Sequence, residues 1–461
     1  MDKKLSHQNT SVLGLELSAF SYLDAPASVL RDIQVEVRPG TLTVISGHSG
    51  SGKSTLGFIL AGLLPRYGMD QLSGAIVIDG TRIEFSSSST PHIDIAQWAQ
   101  HVGMLPQDAG HYLSGIRGTV AEELAFCLEN DGVPRAQMHQ RVAELAQRLR
   151  LGHLLKRHPQ QLSGGQERIV ALAALAISEP DVLVIDEPLA GLDQQAAKLV
   201  LEMAALLRAQ GTALVILADS IRFWAQEADA LWWLDEGTLK PHASELLGDH
   251  ESAGAKPRRP APSDSPLVLS MDSIRLSYPG SDKPAVPDLD LQLRSGECLG
   301  LSGANGSGKT TVLKAIAGLL RPASGTMSLT GTTGLLLQNS SDQLFERTVL
   351  REVSFGIPKK SSLHQRIAEV LAQLGLESYA QTHPYELPAS ARRLLALATV
   401  MVREPKILLL DEPTEGLDEL GEAKLRAIIA AVLARGGAVI LSTHDEEFMH
   451  SVAHRVHHMN Q

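Results

Sequence analysis

The chain has 461 residues, of which 44% are hydrophobic and 20% are charged, and its formal net charge is −11. This length is ample for two domains, the acidic balance argues against a protein that binds nucleic acid by neutralising phosphates, and two cysteines are too few for a disulfide framework. No apolar run approaches the roughly 18 residues of a membrane-spanning helix, and the N-terminal segment lacks the apolar core of a signal peptide. We therefore expect a cytoplasmic chain that crosses no membrane, although it could dock on a membrane protein.

The same order of segments occurs twice along the chain. In each half, short apolar runs such as VLVIDEP and ILLLDEP alternate with longer stretches of helical periodicity. Continuous apolar strands that alternate with helices predict a parallel sheet buried on both faces, which is the α/β class. We predict a first domain at residues 11–247, a Pro- and Ser-rich linker at 248–266 and a second, shorter domain at 267–461.

Each half contains a glycine-rich loop between a predicted strand and a predicted helix, GHSGSGKST at residues 47–55 and GANGSGKTT at 303–311. Such loops wrap backbone N–H groups around a phosphate, and the lysine adds positive charge. We predict that both are phosphate-binding P-loops and that Ser54 and Thr310 ligate Mg²⁺. The predicted nucleotide-binding residues are Gly47, Ser49, Gly50, Gly52, Lys53, Ser54 and Thr55 in the first loop, and Gly303, Asn305, Gly306, Gly308, Lys309, Thr310 and Thr311 in the second.

Two predicted strands end in paired carboxylates, at Asp186 and Glu187 in the first half and at Asp411 and Glu412 in the second. In a P-loop nucleotide hydrolase the first acid of such a pair lies on the magnesium side, and the second positions or deprotonates the attacking water. We therefore predict that Asp186 and Asp411 are metal ligands and that Glu187 and Glu412 are catalytic.

Both halves resemble the nucleotide-binding domains of the ABC ATPase superfamily. The distinguishing motif is LSGGQ at residues 162–166, and AGLD at 190–193 and EGLD at 415–418 match a further family loop. The resemblance implies ATP and Mg²⁺ as ligands, and in each domain a mostly parallel sheet, a helical subdomain with the signature motif and an N-terminal antiparallel β region. It also implies that the halves pair head to tail within the chain. Each ATP would then lie between the P-loop of one half and the signature of the other, so that Ser163, Gly164, Gly165 and Gln166 contact nucleotide.

Five more residues acquire roles from the resemblance. Gln107 and Gln338 match the glutamine that joins the metal to the transmembrane partner. Tyr22 and Tyr278 lie where the family places an aromatic ring against adenine. His444, in LSTHD, matches the switch histidine that contacts the γ-phosphate and is expected to be catalytic.

The sequence departs from the family pattern at two places. The first half has Asp219 where the second has His444, and the second half has Pro388, Ala389, Ser390 and Ala391 where the first has SGGQ. In a head-to-tail pair both departures fall on the site that contains Lys53. We therefore expect one consensus ATP site, at Lys309, and one degenerate site that hydrolyses ATP weakly or only binds it.

The segment after Gln338, NSSDQLFERTVLREVSFG, resembles the ATPases of energy-coupling-factor importers. This resemblance implies an ATP-hydrolysing motor subunit on the cytoplasmic face of the cell membrane, for import of a vitamin, a vitamin precursor or a metal ion. The implied partners are an integral membrane coupling subunit, docked near Gln107 and Gln338, and a membrane subunit that binds the substrate; no nucleic acid is expected.

Two alternatives remain open. One is the tandem ATPase of a sugar or nucleoside importer, against which the DQLF sequence argues. The other is a soluble tandem ABC protein that acts on ribosomes, against which the short Pro-rich linker and the low cysteine count argue. Nothing in the sequence specifies a cargo.

Overall fold

A computed structural model describes residues 11–23, 27–86, 91–107, 112–190, 192, 194–221, 223–242, 265–278, 280, 283–304, 306–358, 361 and 363–459. The chain divides into two compact units, Met1–Ser244 and Glu245–Gln461, which we call unit 1 and unit 2. Of the predicted linker, only residues 265 and 266 are described, and the first strand of unit 2 begins at Leu267. The predicted domain boundaries remain a prediction.

Unit 1 contains two sheets. The smaller is antiparallel, in the order β2-β1-β4-β5, and the larger has the order β10-β9-β3-β8-β7-β6, with only β10 antiparallel to its neighbour. The strands are β1 Leu13–Tyr22, β2 Leu30–Val37, β3 Leu42–Ser46, β4 Asp70–Ile78, β5 Thr81–Phe85, β6 Val102–Leu105, β7 Val182–Asp186, β8 Ala213–Ala218, β9 Ala230–Asp235 and β10 Thr238–Pro241. The helices are α1 Lys53–Leu60, α2 Ile95–Trp98, α3 Val120–Asn130, α4 Arg135–Arg148, α5 Gly164–Ala176 and α6 Gln194–Ala209.

Unit 2 repeats this arrangement with fewer strands. Its antiparallel sheet has the order β12-β11-β14, and its main sheet, β15-β16-β17-β13-β18, is parallel throughout. The strands are β11 Leu267–Arg275, β12 Leu291–Arg294, β13 Cys298–Ser302, β14 Ser324–Leu329, β15 Thr333–Leu336, β16 Ile407–Asp411, β17 Ala438–Ser442 and β18 Arg455–His458. The helices are α7 Lys309–Ile316, α8 Val349–Ser354, α9 Leu363–Leu374, α10 Ala389–Met401, α11 Glu419–Ala434 and α12 Glu446–Val452.

The central strands of both main sheets are buried along their whole length, as continuous apolar runs predict. In unit 2 their side chains alternate between two cores. Leu409 and Ile440 pack with the antiparallel sheet and α7, whereas Leu408 and Leu441 pack with the helices on the other face. The α/β class and the tandem P-loop architecture are confirmed.

The extra length of the first half lies between its P-loop and Gln107. Unit 1 has β5 and α2 there, and the shorter segment of unit 2 passes from β14 to β15. The strand order matters more for the site: β8 lies between β3 and β7, and β17 lies between β13 and β16. Since the strands are parallel, the P-loop and the loops after the two neighbouring strands meet at one edge of each sheet.

The helix that follows each glutamine begins at a threonine N-cap. Thr119 accepts a hydrogen bond from the backbone of Glu122, whose carboxylate in turn accepts from Thr119 N, and Thr348 accepts from Arg351 N. Such caps stabilise a helix by about 1 kcal/mol. None of the helices in the described part of the chain combines the length and the hydrophobicity that a bilayer-spanning segment needs.

Candidate nucleotide-binding sites

Both P-loops connect a buried strand to a buried helix through a glycine in the left-handed region. Gly52 has φ 104° and Gly308 has φ 94°, and each is the N-cap residue of the following helix. A Cβ atom at Gly52 would lie 2.7 Å from Leu30, and one at Gly308 would lie 2.6 Å from Val286. Conformation and space therefore both require glycine before the lysine.

Lys53 is almost fully buried, and three groups of unit 1 surround its ammonium. Its Nζ atom donates to Gly47 O at 2.6 Å and to His48 O at 3.0 Å, and it lies 2.8 Å from Asp219 Oδ1. Asp219 directly follows β8, next to the P-loop strand β3. Sequence reasoning predicted the departure at Asp219 but not this ion pair.

Lys309 has similar backbone contacts, to Gly303 O at 2.7 Å and Ala304 O at 3.2 Å. His444 takes the place of Asp219. Its backbone N–H donates to Glu412 Oε2 at 3.0 Å, and its Nε2 atom lies 3.4 Å from Glu412 Oε1. The second site therefore has an imidazole where the first has a carboxylate.

The residues predicted to ligate magnesium lie together in both units. Ser54 Oγ is 2.6 Å from Asp186 Oδ2, and Thr310 Oγ1 is 2.7 Å from Asp411 Oδ2. A hydroxyl beside a buried carboxylate is the all-oxygen donor set that Mg²⁺ prefers, so these residues fit the ion. Burial raises the pKa of Asp186, and the bound cation would favour its charged form.

Glu187 and Glu412 directly follow Asp186 and Asp411 in the chain. Both glutamates have a left-handed backbone conformation, with φ 48° and φ 45°. This conformation costs roughly 1–3 kcal/mol for a non-glycine residue and often occurs at functional sites. Burial raises the pKa of Glu412 to about 7. Burial and the nearby Asp219 raise the pKa of Glu187 well above its usual range, and Glu187 Oε1 is buried without a hydrogen bond among the described residues. Both carboxyl groups suit a proton-accepting role.

The two tyrosines contact the helix that follows each P-loop. Tyr22 OH lies 2.9 Å from Thr55 Oγ1, and Tyr278 OH lies 3.2 Å from Thr311 Oγ1. Tyr278 is 42% exposed. Both rings are therefore beside the phosphate-binding helix, and their stacking on adenine remains a prediction.

Gln107 and Gln338 are exposed where the strands β6 and β15 lead into the following segments. Gln338 donates from Nε2 to Glu415 Oε2 at 3.3 Å. The residues after Gln107, 108–111, lie outside the described part of the chain, as does the predicted P-loop residue Asn305. The metal-binding role of both glutamines remains a prediction.

Two buried arginines, which the sequence analysis did not predict, connect the glutamine segments to the strands that end in paired carboxylates. Arg393 donates to the backbone carbonyls of Leu337, Gln338, Asp411 and Glu412 at 2.6–2.8 Å. At the matching position of unit 1, Arg168 donates to the carbonyls of Gln107 and Glu187. The signal was available: both segments have an arginine five residues after the start of SGGQ or PASA.

The two signature segments have different helix starts. Ser163 caps α5 and forms a capping box with Gln166, whereas Pro388 precedes α10 without a side-chain cap. Ser390 is buried and donates to Asp418 Oδ1 at 2.9 Å, so its hydroxyl is bonded within unit 2 and does not take the place of Ser163. Contact of Ser163, Gly164, Gly165 and Gln166 with nucleotide on the other unit remains a prediction.

Two P-loops, each with a hydroxyl–carboxylate pair and a glutamate whose pKa burial raises, define a P-loop ATPase with tandem nucleotide-binding domains. The sequence profile of the ABC transporter family matches residues 30–190 and 286–415, and the chain belongs to this family. ATP binding and hydrolysis, generally with Mg²⁺, follow from this membership.

Among its relatives, the chain is 31% identical to a protein of Methanosarcina mazei provisionally named an ABC transporter ATP-binding protein, over 95% of this chain and 91% of that one. It is 30% identical to a Bacillus subtilis protein provisionally named an HMP/thiamine import ATP-binding protein, over 96% and 89%. Among solved structures, an RNase-L inhibitor matches with a TM-score of 0.68 at 20% identity, over 96% of this chain and 88% of that one. This last likeness concerns the fold alone.

Proposed function

We propose that this chain is the ATP-hydrolysing subunit of an energy-coupling-factor type importer for a vitamin, a vitamin precursor or a metal ion. The observation that supports ATP hydrolysis is the repeated arrangement of a P-loop lysine, a hydroxyl–carboxylate pair and a glutamate whose pKa burial raises. The Bacillus subtilis relative, whose provisional name refers to HMP/thiamine import, supports the importer assignment.

The DQLF segment supports a docking place for the membrane coupling subunit on unit 2. The side-chain amide of Gln343 accepts from Leu337 N and donates to Leu335 O, both at 2.9 Å, and so holds this segment against β15. Leu344 is buried, whereas Phe345 is 63% exposed. Phe345 therefore presents an aromatic side chain that unit 2 itself does not cover.

A groove lies beside this segment. Phe345 and Phe355 meet edge to face at 4.6 Å between ring centroids, and both line a cavity of about 530 Å³. Glu352 fixes the loop, since its carboxylate accepts from the backbone N–H groups of Phe345 and Glu346. The groove is lined by aromatic and aliphatic side chains together with polar ones, among them Thr399 and Arg403. Such a mixed lining suits the end of an amphipathic helix from the membrane subunit.

The matching surface of unit 1 differs in chemistry. Glu123 accepts from the backbone and hydroxyl of Ser114, much as Glu352 accepts from the backbone of Phe345 in unit 2. The Arg117 guanidinium lies 4.8 Å from the ring centroid of Phe126, the counterpart of Phe355. We propose that this surface, near Gln107, receives a second coupling segment, so that the protein is held at the cytoplasmic face of the membrane through its partners.

Three residues of unit 2 have separate roles in the reaction at the consensus site. Lys309 binds phosphate oxygens, Glu412 accepts a proton from water, and the imidazole of His444 donates toward the terminal phosphate. When bound, Mg²⁺ neutralises phosphate charge. We propose that the signature of unit 1, with Ser163 at the helix start, completes this site, and that Asp219 and Pro388 weaken the other.

The experiment that tests these unequal sites is the steady-state ATPase activity of the complete membrane complex. Glu412→Gln should abolish turnover, while Glu187→Gln should leave most of it, because the Lys53 site already lacks donors whose loss typically costs ~10²–10³-fold in rate. Equal loss from both variants, or a greater loss from Glu187→Gln, would show that the working site is misassigned.

A further inference from the structure

We propose that the nucleotide site of unit 1 selects ADP over ATP and that Asp219 is the residue that determines this selection. The inference rests on the proposed function, because it requires both P-loops to bind adenine nucleotides. It goes further, because a degenerate site need not distinguish a diphosphate from a triphosphate.

The first step concerns the hydrogen bonds of the Lys53 ammonium. An ammonium group has three N–H donors, and Gly47 O, His48 O and Asp219 Oδ1 provide one acceptor for each. The pair is sheltered from water, since the side chains of Lys53 and Asp219 are 7% and 19% exposed. The Asp219 carboxylate thus occupies the position of a phosphate oxygen on the lysine.

The second step concerns the number of phosphates. A P-loop lysine reaches the β- and γ-phosphates of a bound nucleotide. A γ-phosphate on Lys53 would have to share the ammonium with Asp219, and like charges about 4 Å apart in a sheltered site repel strongly. A diphosphate ends at the β-phosphate, which the P-loop N–H groups bind together with the lysine, so one N–H donor of Lys53 can remain on Asp219.

The third step concerns the other carboxyl groups around this lysine. Asp186 and Glu187 face the same group, and the Asp219 backbone N–H donates to the Glu187 carboxylate. A γ-phosphate would therefore join a cluster of three carboxyl groups. A bound Mg²⁺ would not cancel the expected difference in nucleotide preference between the two units, because the hydroxyl–carboxylate pairs that would hold it are alike in both.

Unit 2 provides the matched comparison within the same molecule. His444 stands where Asp219 stands in unit 1, and an imidazole can donate a hydrogen bond to a γ-phosphate. We therefore expect the Lys309 site to favour the triphosphate and the Lys53 site to favour the diphosphate.

The test is competitive photolabelling of the full-length chain carrying Glu412→Gln, which limits ATP consumption. The chain is labelled at low temperature with 8-azido-ADP and Mg²⁺, in the presence of increasing concentrations of ADP or ATP that compete with the label. Proteolysis and mass spectrometry then assign the label to unit 1 or unit 2. The ratio of the half-displacing ATP concentration to that of ADP should be at least about tenfold higher for unit 1 than for unit 2.

Asp219→Asn keeps the side-chain shape and removes the charge, so it should lower the unit 1 ratio by about tenfold and leave the unit 2 ratio unchanged. The control is Asp181→Asn, which neutralises a half-exposed aspartate paired with His101 at the opposite end of β7. It should change neither ratio.

Equal ratios in the two units, or no response to Asp219→Asn, would overturn the inference and leave nucleotide binding intact. Labelling of unit 2 with none of unit 1 would also overturn it, because unit 1 would then bind no diphosphate. If neither unit were labelled, the proposed ATPase function itself would fail.

Discussion

Arg168 and Arg393 lie at matching positions in α5 and α10. Each donates to backbone carbonyls of the segment that holds Gln107 or Gln338 and of the glutamate predicted to be catalytic. Burial lowers the pKa of Arg393, and its guanidinium replaces water as the donor to four carbonyls. A planar group with five donors can serve carbonyls from two separate segments. Each arginine therefore joins the residues that follow the carboxylate strand to the segment that begins the proposed docking surface.

Replacing Arg393 by lysine should lower both stability and turnover. Lysine keeps the charge, but its single nitrogen cannot reach carbonyls on both segments, and each buried carbonyl left without a donor costs about 1–3 kcal/mol. We expect a lower melting temperature and a loss of roughly tenfold or more in the ATPase rate of the membrane complex, because small displacements of positioning groups are costly.

The matched variant Arg168→Lys should lower the melting temperature similarly but leave most of the turnover, because the carbonyls that Arg168 bonds belong to Gln107 and Glu187, at the site proposed to be degenerate. Thermal unfolding and ATPase rates of the two variants, measured together, separate these effects. A comparable loss of turnover in both would mean that the arginines do not act through their local sites.

At the scale of elements, the segment from Gln338 through α8 has a structural core and an exposed rim. Gln343, Leu344 and Glu352 maintain the fold of the segment, whereas Phe345 and Phe355 are exposed by 63% and 50%. An exposed pair of large aromatic side chains beside a groove is typical of a binding surface.

Truncating the exposed pair should weaken attachment to the membrane partners without unfolding the protein. We expect Phe345→Ala combined with Phe355→Ala to reduce co-purification with the detergent-solubilised complex at least about tenfold, because central aromatic residues commonly contribute 2 kcal/mol or more to an interface. The basal melting temperature should change little, since both rings are largely exposed.

The control is Leu420→Ala, which truncates another exposed apolar side chain of unit 2, in α11. It should leave co-purification unchanged. Undiminished attachment of the double variant would refute docking at this groove, and co-sedimentation of the native chain with ribosomes in place of a membrane complex would favour the ribosome-associated alternative.

At the scale of the whole molecule, each unit has its own hydrophobic core. One cluster joins the antiparallel sheet, α1 and the main sheet in unit 1, and two clusters cover the faces of the main sheet in unit 2. A unit with its own core can fold when the chain is cut. The residues predicted to be catalytic, however, are unequally distributed, since the consensus signature is in unit 1 and His444 is in unit 2.

We expect the two units, expressed separately after a cut within residues 248–266, to be nearly inactive alone and to recover ATPase activity on mixing. The reason is that the Lys309 site would borrow its signature from unit 1. ATPase rates are measured on size-exclusion fractions of known molecular mass, because a homodimer of one unit could also form composite sites. Full activity in a demonstrably monomeric unit would contradict head-to-tail pairing.

The sequence by itself determined the α/β class, the duplication, both P-loops and both carboxylate pairs. These features depend on local patterns: a buried parallel strand needs a continuous apolar run, and Gly52 and Gly308 are required by backbone conformation and space where they stand. The departures at Asp219 and Pro388 were likewise visible, because aligning two copies within one chain exposes each position at which they differ.

Only the tertiary structure decided which groups these residues meet. Asp219 pairs with Lys53 because β8 lies beside the P-loop strand β3. Arg393 reaches four carbonyls because β15 and β16, the strands that lead into them, are neighbours in the sheet. Ser390 bonds to Asp418, at the start of a different helix. The order of strands in a sheet and the rotamers of buried side chains arise from packing between segments far apart in the chain. The sequence predicts only that Asp219 lies near the phosphates of a bound nucleotide. The folded protein shows that its carboxylate pairs with Lys53, the lysine that those phosphates would bind.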